Sequence, residues 1–182
     1  MMEKNHPKVL SKLVKEEKPD IICLQELTDS YQTKLQKYIP NYKFTGQNRF
    51  KEKSPWYNHF GENNPIITNL NILKTQTHSL SKDINKLGKR SFLSIFPRIA
   101  TVTTVTKENQ TFTIINTHLD HLSNHARKIQ LIYLKQIIEA NNYPIILVGD
   151  FNLNTDSNIF IDFIKYMNTK NCKLVPIKEK NI

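Results

Sequence analysis

Glycine is scarce, with four in 182 residues, and no Pro-, Gly- or Ser-rich stretch separates one part of the chain from another. Residues 1–182 are therefore expected to form one domain, long enough for a sizeable core. No apolar stretch approaches 18 residues, which argues against a membrane-spanning helix, and no internal repeat is present. The opening residues, MMEKNHPKVL, lack the apolar segment of a secretory signal. Cysteine is rare as well: Cys23 and Cys172 stand far apart. Cys23 lies inside Ile21-Ile22-Cys23-Leu24, where a small buried hydrophobe is the natural role. That favours a reducing compartment, and the expected location is the cytoplasm.

Acidic side chains are also in short supply. Sixteen Asp and Glu face 26 Lys and Arg, a net charge of +10, with the basic excess at 34–53, 82–98 and from 165 onward. Such a surplus attracts anions: nucleic acid, anionic headgroups or phosphorylated small molecules. Charge alone does not choose among them, because a Lys-, Asn- and Ile-rich composition also arises from nucleotide bias.

What is present is organised around Tyr143 to Asp156, YPIILVGDFNLNTD. Ile145 to Val148 is too short for a helix and reads as a strand buried on both faces. If extended geometry continues past Gly149, then Ile146, Val148, Asp150 and Asn152 share a side. The same pattern recurs twice. Strand 20–24 leads to Glu26 with Ile22, Leu24 and Glu26 in phase, and strand 111–117 leads to His118 behind Phe112, Ile114 and Asn116. Helices are expected over 6–18 (Val9, Leu10, Leu13 and Val14 inward), after Thr28 or Asp29, from Ser123 to Ala140, and after Asp156 or Ser157. Further strands are expected at 42–44, 65–69, 72–80, 98–106 and 172–175, with KENQ as a four-residue hairpin connection. Helix-separated strands with a central hairpin give a mixed α/β (α+β) protein, in which ligand sites collect at strand ends.

An acid, an imidazole and an acid–amide pair at three strand ends form a hard, oxygen-rich set suited to Mg²⁺ or Mn²⁺. Such a set describes phosphate-ester hydrolysis: a carboxylate takes a proton from water while an amide and an imidazole hold phosphate oxygens. The segments PDIICLQEL, GENNPIIT, FPRIATV, NTHLDHLSNHARKIQ and ILVGDFNLNTDS together resemble the ordered motifs of the endonuclease/exonuclease/phosphatase superfamily, the deoxyribonuclease-I-like fold. The resemblance runs over residues 7 to about 165. It implies a mixed two-sheet β-sandwich flanked by helices, a divalent metal (Mg²⁺ or Mn²⁺), and a phosphorylated substrate, nucleic acid among the candidates. It makes Glu26 the metal ligand and Asp150 the residue that orients or deprotonates water. Asn152, His118 and Arg98 would contact phosphate, and Glu62 would pair with His118. Asp120, His121, Arg127 and Gln130 match the pattern in mainly structural roles.

The family pattern also includes a first strand with a metal-binding asparagine and a closing Ser-Asp-His motif. Neither is found here, and no histidine follows His125. The expectation is a fold incomplete relative to the family and inactive alone. A non-catalytic remnant, or half of a split protein with a complementing chain, is the competing reading. A distant one takes Asn116-Thr-His-Leu-Asp-His121 as a metallo-β-lactamase-like zinc set, but it leaves LQE and GDFN unexplained.

Overall fold

The computed structural model describes residues 6–50 and 54–170. These fall into two units, 1–151 and 152–182. In the first unit the elements run α1 (His6–Glu17), β1 (Ile21–Cys23), α2 (Asp29–Tyr38), β2 (Lys43–Phe44), α3 (Tyr57–Phe60), β3 (Ile66–Thr68), β4 (Asn71–Ser79), β5 (Ile99–Lys107), β6 (Gln110–His118), α4 (Asn124–Glu139) and β7 (Ile145–Asp150). The second unit contains α5 (Asn158–Thr169), capped by the Ser157 hydroxyl, which accepts from the Phe160 N–H. The strand expected at 172–175 and most of the basic tail lie outside the described residues.

Two sheets form the first unit. One has the order β1-β3-β2, all antiparallel; the other has β4-β5-β6-β7, antiparallel except for the parallel pair β6–β7. Alternation along β3 divides the core. Ile67 turns outward to Val14 of α1, Leu35 of α2 and Ile39 at the C-terminal cap of α2, while Ile66 turns inward to Val105 and Ile114 of the second sheet. Thr28 caps α2 by accepting from the Tyr31 N–H. The mixed two-sheet sandwich with flanking helices is thus the observed architecture.

Several local expectations are corrected. Val9 and Leu13 of α1 are exposed, and only Val14 of the expected apolar face is fully buried. The strands expected at 65–69 and 72–80 form as β3 and β4, which belong to different sheets. The KENQ connection shrinks to a two-residue turn, with Lys107 paired to Gln110. Its central residues, Glu108 (φ 48°) and Asn109 (φ 65°), take the left-handed backbone whose twist suits a tight hairpin. β7 is not buried on both faces. Among the described residues it lies at an edge of its sheet, and Ile146 is 48% exposed.

Gly149 explains how β7 lies so close to β6. Its φ is +151°, and a Cβ there would sit 2.1 Å from the Thr117 carbonyl oxygen. Only glycine fits. Extended geometry stops at Asp150, since Asn152 has φ 50°; the alternation expected to carry Asn152 along with Asp150 does not continue.

Candidate active site

β6 and β7 end together. His118 is paired with Asp150 in the parallel register, and the Leu119 N–H donates to the Asp150 carbonyl at 2.9 Å. The His118 ring is buried, with Nε2 3.8 Å from Asp150 Oδ2 and Nδ1 3.8 Å from Glu26 Oε1. Both carboxylates keep more than half of their side-chain surface open, at 55% for Glu26 and 53% for Asp150. The result is an imidazole set between two solvent-facing acids. Burial lowers the His118 pKa and the Arg98 charge lowers it further, against the opposing pull of Asp150 and Glu26. His118 is therefore neutral at pH 7, with one ring nitrogen able to donate and the other to accept.

Glu26 does not reach this place by strand alternation. Ile22 and Leu24 both face the helices, so strict phase would have sent Glu26 there as well. Instead Glu26 adopts a left-handed backbone, φ 56°, and the chain turns its carboxylate toward His118. Asn116 holds the turn. Its side chain is fully buried, its Nδ2 donates to the Leu24 and Pro65 carbonyls at 2.8 and 2.9 Å, and its Oδ1 accepts from Gln25 Nε2 at 2.8 Å. Leu27 and Asn63 complete the join with reciprocal backbone hydrogen bonds of 3.0 and 2.9 Å. The sequence marked Asn116 as an in-phase residue and as part of the zinc-set alternative, and neither it nor Gln25 as a positioning group.

Arg98 comes from the residue before β5 and is 4% exposed. Its Nη2 lies 2.9 Å from His121 Nδ1, so that nitrogen accepts and the His121 proton sits on Nε2. Its Nε is a buried donor for which the described residues offer no acceptor. Burial lowers the Arg98 pKa, while Asp120, Glu62, Glu26 and Asp150 pull it back up.

Glu62 has a different partner from the one the resemblance implied. Its Oε2 lies 2.8 Å from Arg49 Nη1, whereas the carboxylates flanking His118 are Glu26 and Asp150. Glu62 and His118 nevertheless line one small cleft with Arg49 and Arg98. Burial pushes the Arg49 pKa down and the Glu62 pKa up, each resisted by the other's charge. In this pair desolvation outweighs mutual attraction. Arg49 also donates from Nε to the Phe60 carbonyl at 2.7 Å and covers the Phe96 ring at 4.7 Å. Sequence reasoning missed it. The available signal was composition: the chain has four arginines, and Arg49 is the one among the lysines of 34–53.

The structural roles given to Asp120, Arg127 and Gln130 agree with the geometry. Asp120 accepts from Ser94 Oγ (2.7 Å) and from the Leu122 and Ser123 N–H groups. Its own N–H donates to Gln130 Oε1, and its carbonyl accepts from Arg127 Nη1. Arg127 also pairs with Asn124. This network fixes the loop between β6 and α4, and with it the end of β6.

Asn152 opens the second unit and is half-buried there. Among the described residues no group of three or more His, Cys, Asp or Glu is arranged to hold a metal. The open carboxylates of Glu26 and Asp150 are nevertheless the hard oxygen donors that suit Mg²⁺, which binds through one or two carboxylates and keeps several waters.

The family model described as the Endonuclease/Exonuclease/phosphatase family matches residues 3–169, and the chain belongs to that family. Its enzymes generally depend on a divalent metal. The fold is similar to an endonuclease/exonuclease/phosphatase from Bacteroides vulgatus, with TM-score 0.78 and 23% identity, covering 88% of this chain and 62% of that one. It is equally similar to a mannosyl-6-phosphatase of Bacteroides thetaiotaomicron (TM-score 0.78, 22% identity, 90% and 62% covered). D. rerio TDP2, solved with a single-strand DNA product, matches at TM-score 0.65 and 20% identity, with 87% and 57% covered. The chain thus spans 57–62% of the length of these three structures. No curated protein sequence matches it. Among the described residues no helix is long and apolar enough to cross a membrane.

Proposed function

We propose that this chain carries the phosphate-binding and water-activating part of a metal-dependent phosphoesterase. The observation that carries the reading is the meeting of Glu26, His118 and Asp150 at 3.8 Å steps, beside the buried Arg98 with its unused Nε donor. Glu26 would hold Mg²⁺ or Mn²⁺, and the ion supplies positive charge to a phosphoryl oxygen. Asp150, exposed and with a carboxylate able to accept a proton, activates the attacking water. Neutral His118 donates to a phosphate oxygen, and Arg98 compensates the charge that builds there. For Asn152, which opens the second unit, the GDFN motif implies a phosphate contact. Glu62 acts through Arg49, fixing the guanidinium that borders the cleft.

The substrate class is a phosphate ester. The phosphatase and nuclease-type neighbours, a mannosyl-6-phosphatase and TDP2, are consistent with that breadth. Residues 1–182 alone are expected to bind such an ester and turn it over poorly. No histidine follows His125 to serve the leaving group, and a complementing chain would supply that acid. The test is hydrolysis of bis-p-nitrophenyl phosphate by residues 1–182 with and without Mg²⁺. Weak, EDTA-sensitive turnover that falls at least 100-fold in Asp150→Ala supports the assignment. Turnover that is indifferent to EDTA or to Asp150→Ala overturns it. Vigorous turnover by 1–182 would overturn only the claim that it is incomplete.

A further inference from the structure

Two irregular loops of the first unit, one around α3 and the other over 81–97, enclose a cleft of about 840 Å³ that the motifs touch only through Phe96 and Pro97 of FPRIATV. Four aromatic residues line it, Phe50, Trp56, Phe60 and Phe96, and the last three form a run. Trp56 and Phe60 have centroids 5.8 Å apart, and Phe60 and Phe96 5.4 Å apart, all tilted against one another. Trp56 is 56% exposed and Phe60 41%, a large apolar surface for a chain to leave in water without a use. Lys86, Lys89 and Arg90 supply the charged part of the lining, and no carboxylate joins them among the described residues.

The cleft begins where the phosphate site ends. Pro97 lines both it and the small cleft containing Arg98 and His118, and Arg49 lies over Phe96 while it pairs with Glu62. A ligand with a phosphate at Arg98 therefore has a run of aromatic faces as its nearest neighbour. Flat exposed rings flanked by unneutralised cations match an unpaired nucleobase with its flanking phosphates. Bases within a duplex are already stacked on both faces. An acyl chain gains nothing from three cations, and a bare sugar phosphate has no aromatic face of its own to stack on the rings.

We infer that this cleft is a base-stacking subsite, and that the ester handled at His118 and Asp150 is that of a nucleotide, free or within single-stranded nucleic acid. The inference rests on the phosphoesterase reading for the position of the phosphate. Trp56, the only tryptophan of the chain, reports on it directly. The experiment titrates residues 1–182 in EDTA, where no turnover is needed, with an oligothymidylate of eight residues, with AMP and with ribose 5-phosphate, following Trp56 fluorescence. The oligonucleotide and AMP are expected to quench it; ribose 5-phosphate is not. Tighter binding of the oligonucleotide than of AMP assigns the site to a strand, and equal binding assigns it to the free nucleotide.

Phe60→Ala should weaken oligonucleotide binding by roughly 5- to 150-fold, the value of one base–aromatic stack. Phe60→Leu keeps the apolar volume, guards against a folding defect, and should weaken it as well. The double variant Lys89→Gln/Arg90→Gln should flatten the salt dependence. Absence of quenching by either nucleotide ligand overturns the inference, as does ribose 5-phosphate binding as tightly as AMP. Failure of the hydrolase reading would look different: quenching would persist while metal-dependent hydrolysis of bis-p-nitrophenyl phosphate was missing.

Discussion

Replacing Asn116 with aspartate changes one NH₂ to an oxygen and almost nothing in shape, yet the structure assigns it a large cost. The Asn116 side chain is fully buried, and its Nδ2 is the donor to two carbonyls, those of Leu24 and Pro65. An aspartate there would aim a carboxylate oxygen at both. Alanine would remove three hydrogen bonds and leave Gln25 without its acceptor. At about 1 kcal/mol net for each bond, plus about 1 kcal/mol for each group left dry and unpaired, Asn116→Ala should cost about 3–5 kcal/mol. Asn116→Asp should cost at least as much, because it adds repulsion or forces proton uptake. Native domains have about 5–15 kcal/mol in total, so both variants come close to unfolding. Urea denaturation followed by far-UV circular dichroism should show the midpoint falling by about 1–2.5 M, taking a slope of about 2–3 kcal/mol/M. An Asn116→Asp protein within about 1 kcal/mol of wild type would refute the reasoning, because an isosteric swap would then be insensitive to donor polarity.

Three further outcomes follow from the same contacts. Gly149→Ala should destabilise by about 2–4 kcal/mol in the same assay, since its Cβ would lie 2.1 Å from the Thr117 oxygen at a φ that L residues avoid; a neutral effect would show that the close approach of β7 to β6 is wrong. Asp120 has its pKa held below the ordinary 3.8 because the Ser94 hydroxyl and the Ser123 and Leu122 N–H groups outweigh the burial that pushes it up. That depressed value makes its stabilisation fully present above about pH 4 and lost as pH falls through the folded pKa. The stability gap between wild type and Asp120→Asn should therefore close on acidification, and a gap independent of pH would count against the network. Burial pushes the Cys23 thiol up to about 12, so the nucleophilic thiolate is nearly absent at pH 8. In a Cys172→Ser background Cys23 should react with a disulfide reagent only after urea is added; rapid labelling of the native protein would contradict its placement.

The strand ends were legible because alternation is a short-range property. Phe112, Ile114, Asn116 and His118 stay in phase along β6, and the register sets His118 beside Asp150. Glu26 does stand beside His118, but not by the alternation that pointed to it. Its position depends on a left-handed turn held by Asn116, 90 residues away, and no local pattern encodes that. Arg49 was invisible for a related reason: its partners, Glu62, Phe60 and Phe96, come from two loops whose meeting is a tertiary event. The exposure of Ile146 could not be read from its run of apolar neighbours, since a central strand and an edge strand share that composition. The hairpin turn was misjudged by two residues. Lys107 and Gln110 pair across it, and only Glu108 and Asn109 carry the left-handed conformations.

The central claim is that Glu26, His118 and Asp150 frame one metal-dependent phosphate site, and Mn²⁺ tests it without relying on turnover. Paramagnetic broadening of histidine ring protons, measured by NMR as Mn²⁺ is added at substoichiometric levels, reads the distance of each imidazole from the ion. The account predicts that His118, 3.8 Å from the Glu26 carboxylate, broadens before His59 and His78, and that Glu26→Gln abolishes the preference. Equal broadening of all histidines, or selective loss of His118 that survives Glu26→Gln, would contradict it.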